Sequence, residues 1–198
     1  MDFLNSRGRP GSCDCDWLGN GERWLAWLGQ ARLVPLEVLE RFRSQADVAV
    51  LDGLASRAIE LREWLRSIVN RHRGHSPVAI DPAELGLLNE ILCGDEQYYQ
   101  VMAAIPGDTR LLLQSVRPWA TADSLLQPVA AAIARLICEV DFSHIKACER
   151  CGLLFCDHTR RQGRKWCSMS TCGNRTKQAA HRRRKMSARS RRNRRPAS

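Results

Sequence analysis

No apolar run in this 198-residue chain approaches the roughly 18 residues that a membrane-spanning helix needs. The richest stretch, residues 129–134, is stopped by Arg135. The opening Met1-Asp2-Phe3-Leu4-Asn5 has neither a basic leader nor an apolar segment, so export is not expected and a cytoplasmic location is. No Ser/His/Asp order, glycine-rich phosphate loop or paired carboxylate stands out, and an enzyme is not expected. His72 and His75 lie among arginines at the end of a candidate helix and read as solvent-facing. Acid is scarce in the last quarter, where only Glu149 and Asp157 follow residue 145. What is present excludes two further classes. With 44% hydrophobic residues the chain can bury a core, so it is neither disordered throughout nor a minimal disulfide-stapled peptide. Its length suits one ordinary domain, or a domain with a small appendage.

The net charge of +10 is unevenly spread. Residues 1–145 carry 14 Arg/Lys against 19 Asp/Glu, and residues 146–198 carry 17 against two. A near-neutral body with a strongly basic appendage implies a polyanionic partner. Nucleic acid is the expected one; no membrane association is expected. A merely solubilising tail is the alternative, weakened because the basic residues continue into a patterned cysteine motif.

The body reads as mostly helical, without internal repeats. Residues 17–30 place Trp17, Trp24, Leu25, Trp27 and Leu28 together as a short helix pressed into a core, and Pro35 opens another near Leu36, Leu39 and Phe42. The strongest pattern is Leu54, Ala58, Leu61, Leu65, Ile68 and Val69, one face of a 3.6-period helix ending by Gly74. Asp81-Pro82-Ala83-Glu84 is a helix start, with an Asp cap and Pro in the first position, and Gly94 is placed to end that helix. Residues 98–102 and 111–116 flank Pro106-Gly107-Asp108-Thr109, which predicts a small hairpin. A long helix over roughly 123–139 closes the body, with Pro128 marking a kink or its true start. Cys93 and Cys138 read as small buried hydrophobes. Cys13 and Cys15 form a C-x-C that cannot fill a four-ligand metal site alone.

The chemistry concentrates in residues 148–172, where Cys148-x2-Cys151 and Cys167-x4-Cys172 are separated by fifteen residues. This spacing suits a structural zinc site with four sulfurs about 2.3 Å from the ion. A disulfide framework fits poorly with a chain expected in the reducing cytosol. Cys156 and His158 lie between the pairs, and either could replace one of the four; they rank lower because residues 153–157 read as a strand leaving the first pair. Four thiolates leave no open position for catalysis, so the zinc is expected to fold the segment, with Phe155 and Trp166 as its miniature core. Four thiolates and Zn²⁺ sum to −2, which Arg150, Arg164, Lys165 and Arg175 lie close enough in sequence to offset.

Trp166-Cys167-Ser168, then Cys172-Gly173-Asn174-Arg175-Thr176-Lys177 and His181-Arg182-Arg183-Arg184, resemble the CGNR zinc-finger family. Its members are bacterial stress-induced transcription regulators whose finger follows an N-terminal domain called ABATE. The similarity covers about residues 146–185, with a thinner likeness at Asp2-Phe3-Leu4-Asn5-Ser6. It implies one zinc on Cys148, Cys151, Cys167 and Cys172, and DNA binding by the finger. Cys156 and His158 depart from the family's pattern, which has apolar or small polar residues there.

The expected architecture is mainly α with a small β-hairpin, an α+β N-terminal domain over residues 1–143. A four-cysteine zinc finger, β-hairpin plus basic helix, follows over 144–186, and a disordered arginine-rich tail over 187–198. After Cys172 the chain has helical composition, and zinc would pin the helix start. Duplex DNA is the expected ligand, held on its phosphates by Arg160, Arg161, Arg164 and Lys165. Asn174, Arg175, Lys177, Gln178, His181, Arg182, Arg184 and Lys185 would face it from the helix. RNA is the alternative, since arginine-rich segments also fold on RNA and Trp166 or Phe155 could stack on bases. The body would sense a small-molecule effector or mediate homodimerisation, and the protein would be nucleoid-associated.

Overall fold

The computed structural model describes residues 1–7, 16–76, 79–105, 107 and 109–193, the last seven as backbone only. Cys13 and Cys15 lie outside the described residues. The body is built on α4 (Val48–His72), a 25-residue helix whose buried side chains include all six of the periodic apolar residues, with Leu51 and Ala55 added. Helices α1 (Asp2–Asn5) and α2 (Gly21–Gln30) pack on it, and α3 (Leu36–Gln45) packs on α2. Asn20 caps α2 by accepting from the Arg23 N–H, so Trp17 falls outside the helix expected to contain it and lies exposed. The close approach of α2 to α4 needs a glycine: a Cβ on Gly21 would lie 2.4 Å from the Leu51 Cβ and 2.8 Å from its backbone. Above that contact Trp24 and Trp27 stack at 5.6 Å, and Phe3 tilts onto Trp27 at 5.3 Å.

Asp81 accepts from the Ala83 N–H at the head of a 3-10 turn, Pro82–Leu85, which leads into α5 (Gly86–Cys93). Strands β1 (Tyr98–Ala103) and β2 (Leu111–Val116) form the expected antiparallel hairpin, braced at its stem by a bidentate Asp95–Arg117 pair at 2.7 and 2.8 Å. The closing helix α6 (Gln127–Glu139) begins beside Pro128, which marks its start rather than a kink. Cys93 and Cys138 are exposed, contrary to the sequence reading. At about 100° per residue, Cys93 lies roughly 160° around α5 from Ile91, and Cys138 about 140° around α6 from Ile133, so each faces away from its helix's buried stripe.

The finger follows without a break. A 3-10 turn at Phe142–His144 delivers β3 (Ile145–Ala147), which pairs antiparallel with β4 (Leu154–Cys156). Phe142, Ile145 and Leu154 belong to the same apolar core as the helices. A π-helical turn at Met169–Gly173 then opens α7 (Asn174–Asn193). That helix runs seven residues into the segment expected as a disordered tail. Without proline before residue 196 nothing in the chain interrupts it, and residues 194–198 lie outside the described ones.

Among the described residues of the body, Arg62 is the most deeply buried charge. The Arg62 side chain is 2% exposed, donates to Asp16 and Ser6, and keeps a further bond to Glu63. Asp16→Ala leaves that guanidinium without its main counter-charge. It is expected to destabilise the protein by about 3 kcal/mol in urea unfolding followed by circular dichroism.

Candidate metal centre and nucleic-acid surface

The first cysteine pair sits in a tight turn joining β3 to β4. The Cys148 N–H donates to the Leu153 carbonyl and the Gly152 N–H to the Cys148 carbonyl, both at 2.9 Å. Gly152 reaches φ +73°, a left-handed conformation that glycine adopts at little cost. Of the second pair, Cys172 sits in the π-helical turn, capped by the Ser168 hydroxyl accepting from the Thr171 N–H, and Cys167 just precedes that cap. Gly173 is tightly held there: a Cβ would meet the Met169 sulfur at 2.5 Å and the Trp166 ring at 3.2 Å.

These turns bring the sulfurs of Cys148, Cys151, Cys167 and Cys172 within 4.8 Å of one another. Three of the separations, Cys151–Cys167, Cys167–Cys172 and Cys172–Cys151, are 3.6, 3.8 and 3.6 Å. Metal–sulfur bonds of about 2.3 Å in a tetrahedron imply sulfur–sulfur edges of about 3.8 Å, so the cluster fits one structural zinc. It does not fit disulfides, whose sulfurs lie about 2.05 Å apart. Cys156 points the other way and packs against the core of the body, and His158 is exposed beside His144 at 6.1 Å. Neither joins the cluster.

The thiols explain why an ion is needed. Burial pushes the Cys148 thiol up, but backbone N–H groups of Cys167, Cys151 and Arg150 outweigh it and bring it down to about 6. Burial and then the neighbouring sulfurs push Cys167 up to about 12. The Cys148 thiolate therefore forms readily and opposes ionisation of Cys167, until a divalent cation supplies the balancing charge. Cys148, Cys172 and Phe155 form the small core here, with Trp166 packed against them.

The loop between the pairs is organised by Asp157, whose side chain is fully buried. It accepts from the Thr159 hydroxyl and N–H, the Arg164 N–H and the Lys146 ammonium at 2.6, 3.1, 2.9 and 3.0 Å. Burial pushes its carboxyl up, but these bonds, the Thr159 hydroxyl foremost, hold it well below the usual carboxylate range. Only the Asp-x-Thr spacing hints at this arrangement in the sequence. Arg160 and Arg161 are displayed on the loop, exposed. Arg164, expected as a phosphate contact, is engaged within the finger, 5.0 Å over the Phe155 ring and donating to the Cys167 carbonyl. Lys165 is exposed and pairs with Glu149 at 3.4 Å.

Helix α7 leaves the cluster with its inner side marked by Thr176, which donates to the Cys172 carbonyl, and by half-buried Ala179. At about 100° per residue, Asn174, Lys177, Gln178, His181 and Lys185 fall within an arc of about 100°, flanked by Arg175, Arg182 and Arg184. All eight are exposed, and α7 contains no acidic residue.

A residue with no local signal joins finger to body. The Asn5 side chain donates to the Leu154 carbonyl at 2.8 Å and accepts from the Leu154 N–H at 3.0 Å, so its amide closes the free edge of β4 like a one-residue strand.

The fold and the site define a zinc-finger protein in which a helical domain supports a sulfur-bound finger and a basic helix. The chain belongs to the ABATE family: that family's model, described as a putative stress-induced transcription regulator, matches residues 1–140. The model of the CGNR zinc finger matches residues 144–185. No curated protein gives a significant match. Among the described residues no helix is long and apolar enough to cross a membrane.

Two outcomes are expected. Cys148→Ser and Cys172→Ser each abolish stoichiometric zinc, read by atomic absorption on purified protein, while the α4 core still unfolds cooperatively. Asn5→Ala in the zinc-loaded protein weakens the junction by about 2 kcal/mol and speeds amide exchange at Leu154. An unchanged exchange rate there would show that Asn5 does not hold the strand edge.

Proposed function

We propose that the protein regulates transcription by binding duplex DNA through the finger, with zinc as a folding element and no enzymatic role. Cys148, Cys151, Cys167 and Cys172 would hold the ion, which supplies cross-linking of the two turns and leaves no position for substrate. The observation that carries this reading is α7, tethered through Cys172 and presenting eight exposed basic or amide side chains across one half of its circumference. Amide and guanidinium groups suit base edges in the major groove, and Arg160 and Arg161 suit phosphates. Two features favour a duplex over single-stranded RNA: Phe155 is buried beneath Arg164, and Trp166 packs against the sulfur cluster. The Phe155 ring has no free face to stack on a base, and Trp166 is half-buried. Such a protein would work in the cytoplasm, on the nucleoid.

The helical domain is read as the sensor. A cleft of about 300 Å³ lies between α1, α2, α4 and α6, floored by Phe3, Leu4, Trp27 and Ile133, with Arg135 and Glu139 as polar handles. An effector of apolar body and polar head would press on Leu4, one residue from the Asn5 clamp, and so reach the finger.

The test is an anisotropy titration of the zinc-loaded protein against labelled duplex DNA, with structured RNA as competitor. Six or more phosphate contacts lower affinity by about 10³-fold or more between about 50 and 200 mM salt. A flat salt response, or displacement by RNA at equal concentration, would reject the duplex reading.

A further inference from the structure

The β1–β2 hairpin stands outside the core: no described residue of either strand belongs to it, and all are exposed except half-buried Val116. Its register sorts the side chains into two unlike faces. Tyr99, Val101 and Ala103 lie opposite Ser115, Leu113 and Leu111 on the outer face; Tyr98, Gln100 and Met102 lie opposite Val116, Gln114 and Leu112 on the other. On the outer face Tyr99, Val101, Leu113 and Leu111 are 74, 60, 69 and 66% exposed, whereas Tyr98, Met102 and Leu112 are 49, 41 and 45%. The outer face carries no charge and no amide side chain. A lone two-stranded ribbon is marginal in water, and one that turns its most apolar face to solvent is more so. The Asp95–Arg117 brace nevertheless fixes its base, so the ribbon is held in place rather than left to collapse.

We infer that this outer face docks on the same face of a second copy of the chain. A neutral apolar surface complements another neutral apolar surface, and the chain carries one itself. An antiparallel ribbon meets its own copy face to face about a two-fold axis, as in a two-layer sandwich. The area agrees. At roughly 180 Å² for a fully exposed large apolar residue, the four outer side chains present on the order of 500 Å². That is the apolar share of an interface of about 800 Å² per partner that is about 60% apolar. The inference deepens the association role of the helical domain and does not depend on the finger binding nucleic acid.

Sedimentation velocity of the full zinc-loaded chain tests it. The wild type is expected at twice 22.4 kDa at micromolar concentration. Leu113→Glu or Val101→Lys, which place two like charges across the axis, should raise the dissociation constant by roughly 100-fold or more and give the 22.4 kDa monomer. Val48→Glu, at another exposed apolar position, should leave the dimer intact. Far-ultraviolet circular dichroism, thermal midpoint and zinc content distinguish dissociation from misfolding. A monomeric wild type would overturn the inference, as would a dimer that survives both hairpin variants with fold retained. The anisotropy titration is scored separately, so a monomer that still binds DNA condemns only the hairpin, and a dimer that ignores DNA only the nucleic-acid reading.

Discussion

Four thiols held within 4.8 Å of one another would crowd four like charges together as thiolates, and the finger depends on a cation to balance them. One sulfur is made acidic by backbone N–H groups while Cys151 and Cys167 are made reluctant. A divalent cation removes the conflict and links the β3–β4 turn to the start of α7. The core around the sulfurs is small, Cys148, Cys172 and Phe155 with Cys151, Cys167 and Trp166 at its edge. A structural zinc contributes on the order of 10–16 kcal/mol, well beyond so small a core.

The same centre sets the direction of the basic helix. Its N-terminal turn, with positive partial charge, lies beside a cluster that bears −2 when loaded, so the helix dipole and the metal site favour each other. Further along, Arg182, Arg183, Arg184 and Lys185 follow without an acid among them, and among the described side chains of α7 only half-buried Thr176 and Ala179 offer an inner side. An amphipathic helix draws its stability from a buried face, and over residues 174–186 α7 has almost none. It is a helix whose order comes from one end and whose charge calls for a polyanion along its length.

Much of this was legible from residue order. The α4 face followed from a strict 3.6 periodicity, the β1–β2 hairpin from two apolar runs around turn residues, and the four clustered cysteines from their spacing together with the family resemblance. What stayed hidden was set by long-range geometry. Nothing near Asn5 says that its amide will meet Leu154, and nothing near Arg62 says that Asp16 will cover it. Cys93 and Cys138 were misplaced because apolar neighbours in sequence do not fix an angle around a helix. Trp17 was placed inside α2 because its apolar partners follow closely, although Asn20 is the better cap. Arg164 read as a phosphate contact because charge alone was visible; its ring and carbonyl partners appear only once β4 and the loop are folded together.

The two family segments meet near residue 140, yet the molecule has no seam there. Ile145 and Leu154, from the finger, complete an apolar core begun by the helices, and Asn5, from the opposite end of the chain, finishes the finger's sheet. The zinc module is therefore not portable. Excised at its motif boundaries, it would keep all four sulfurs and yet bare two aliphatic side chains and an unsatisfied strand edge, so a chimera that borrows it must carry the N-terminal turn of the donor as well.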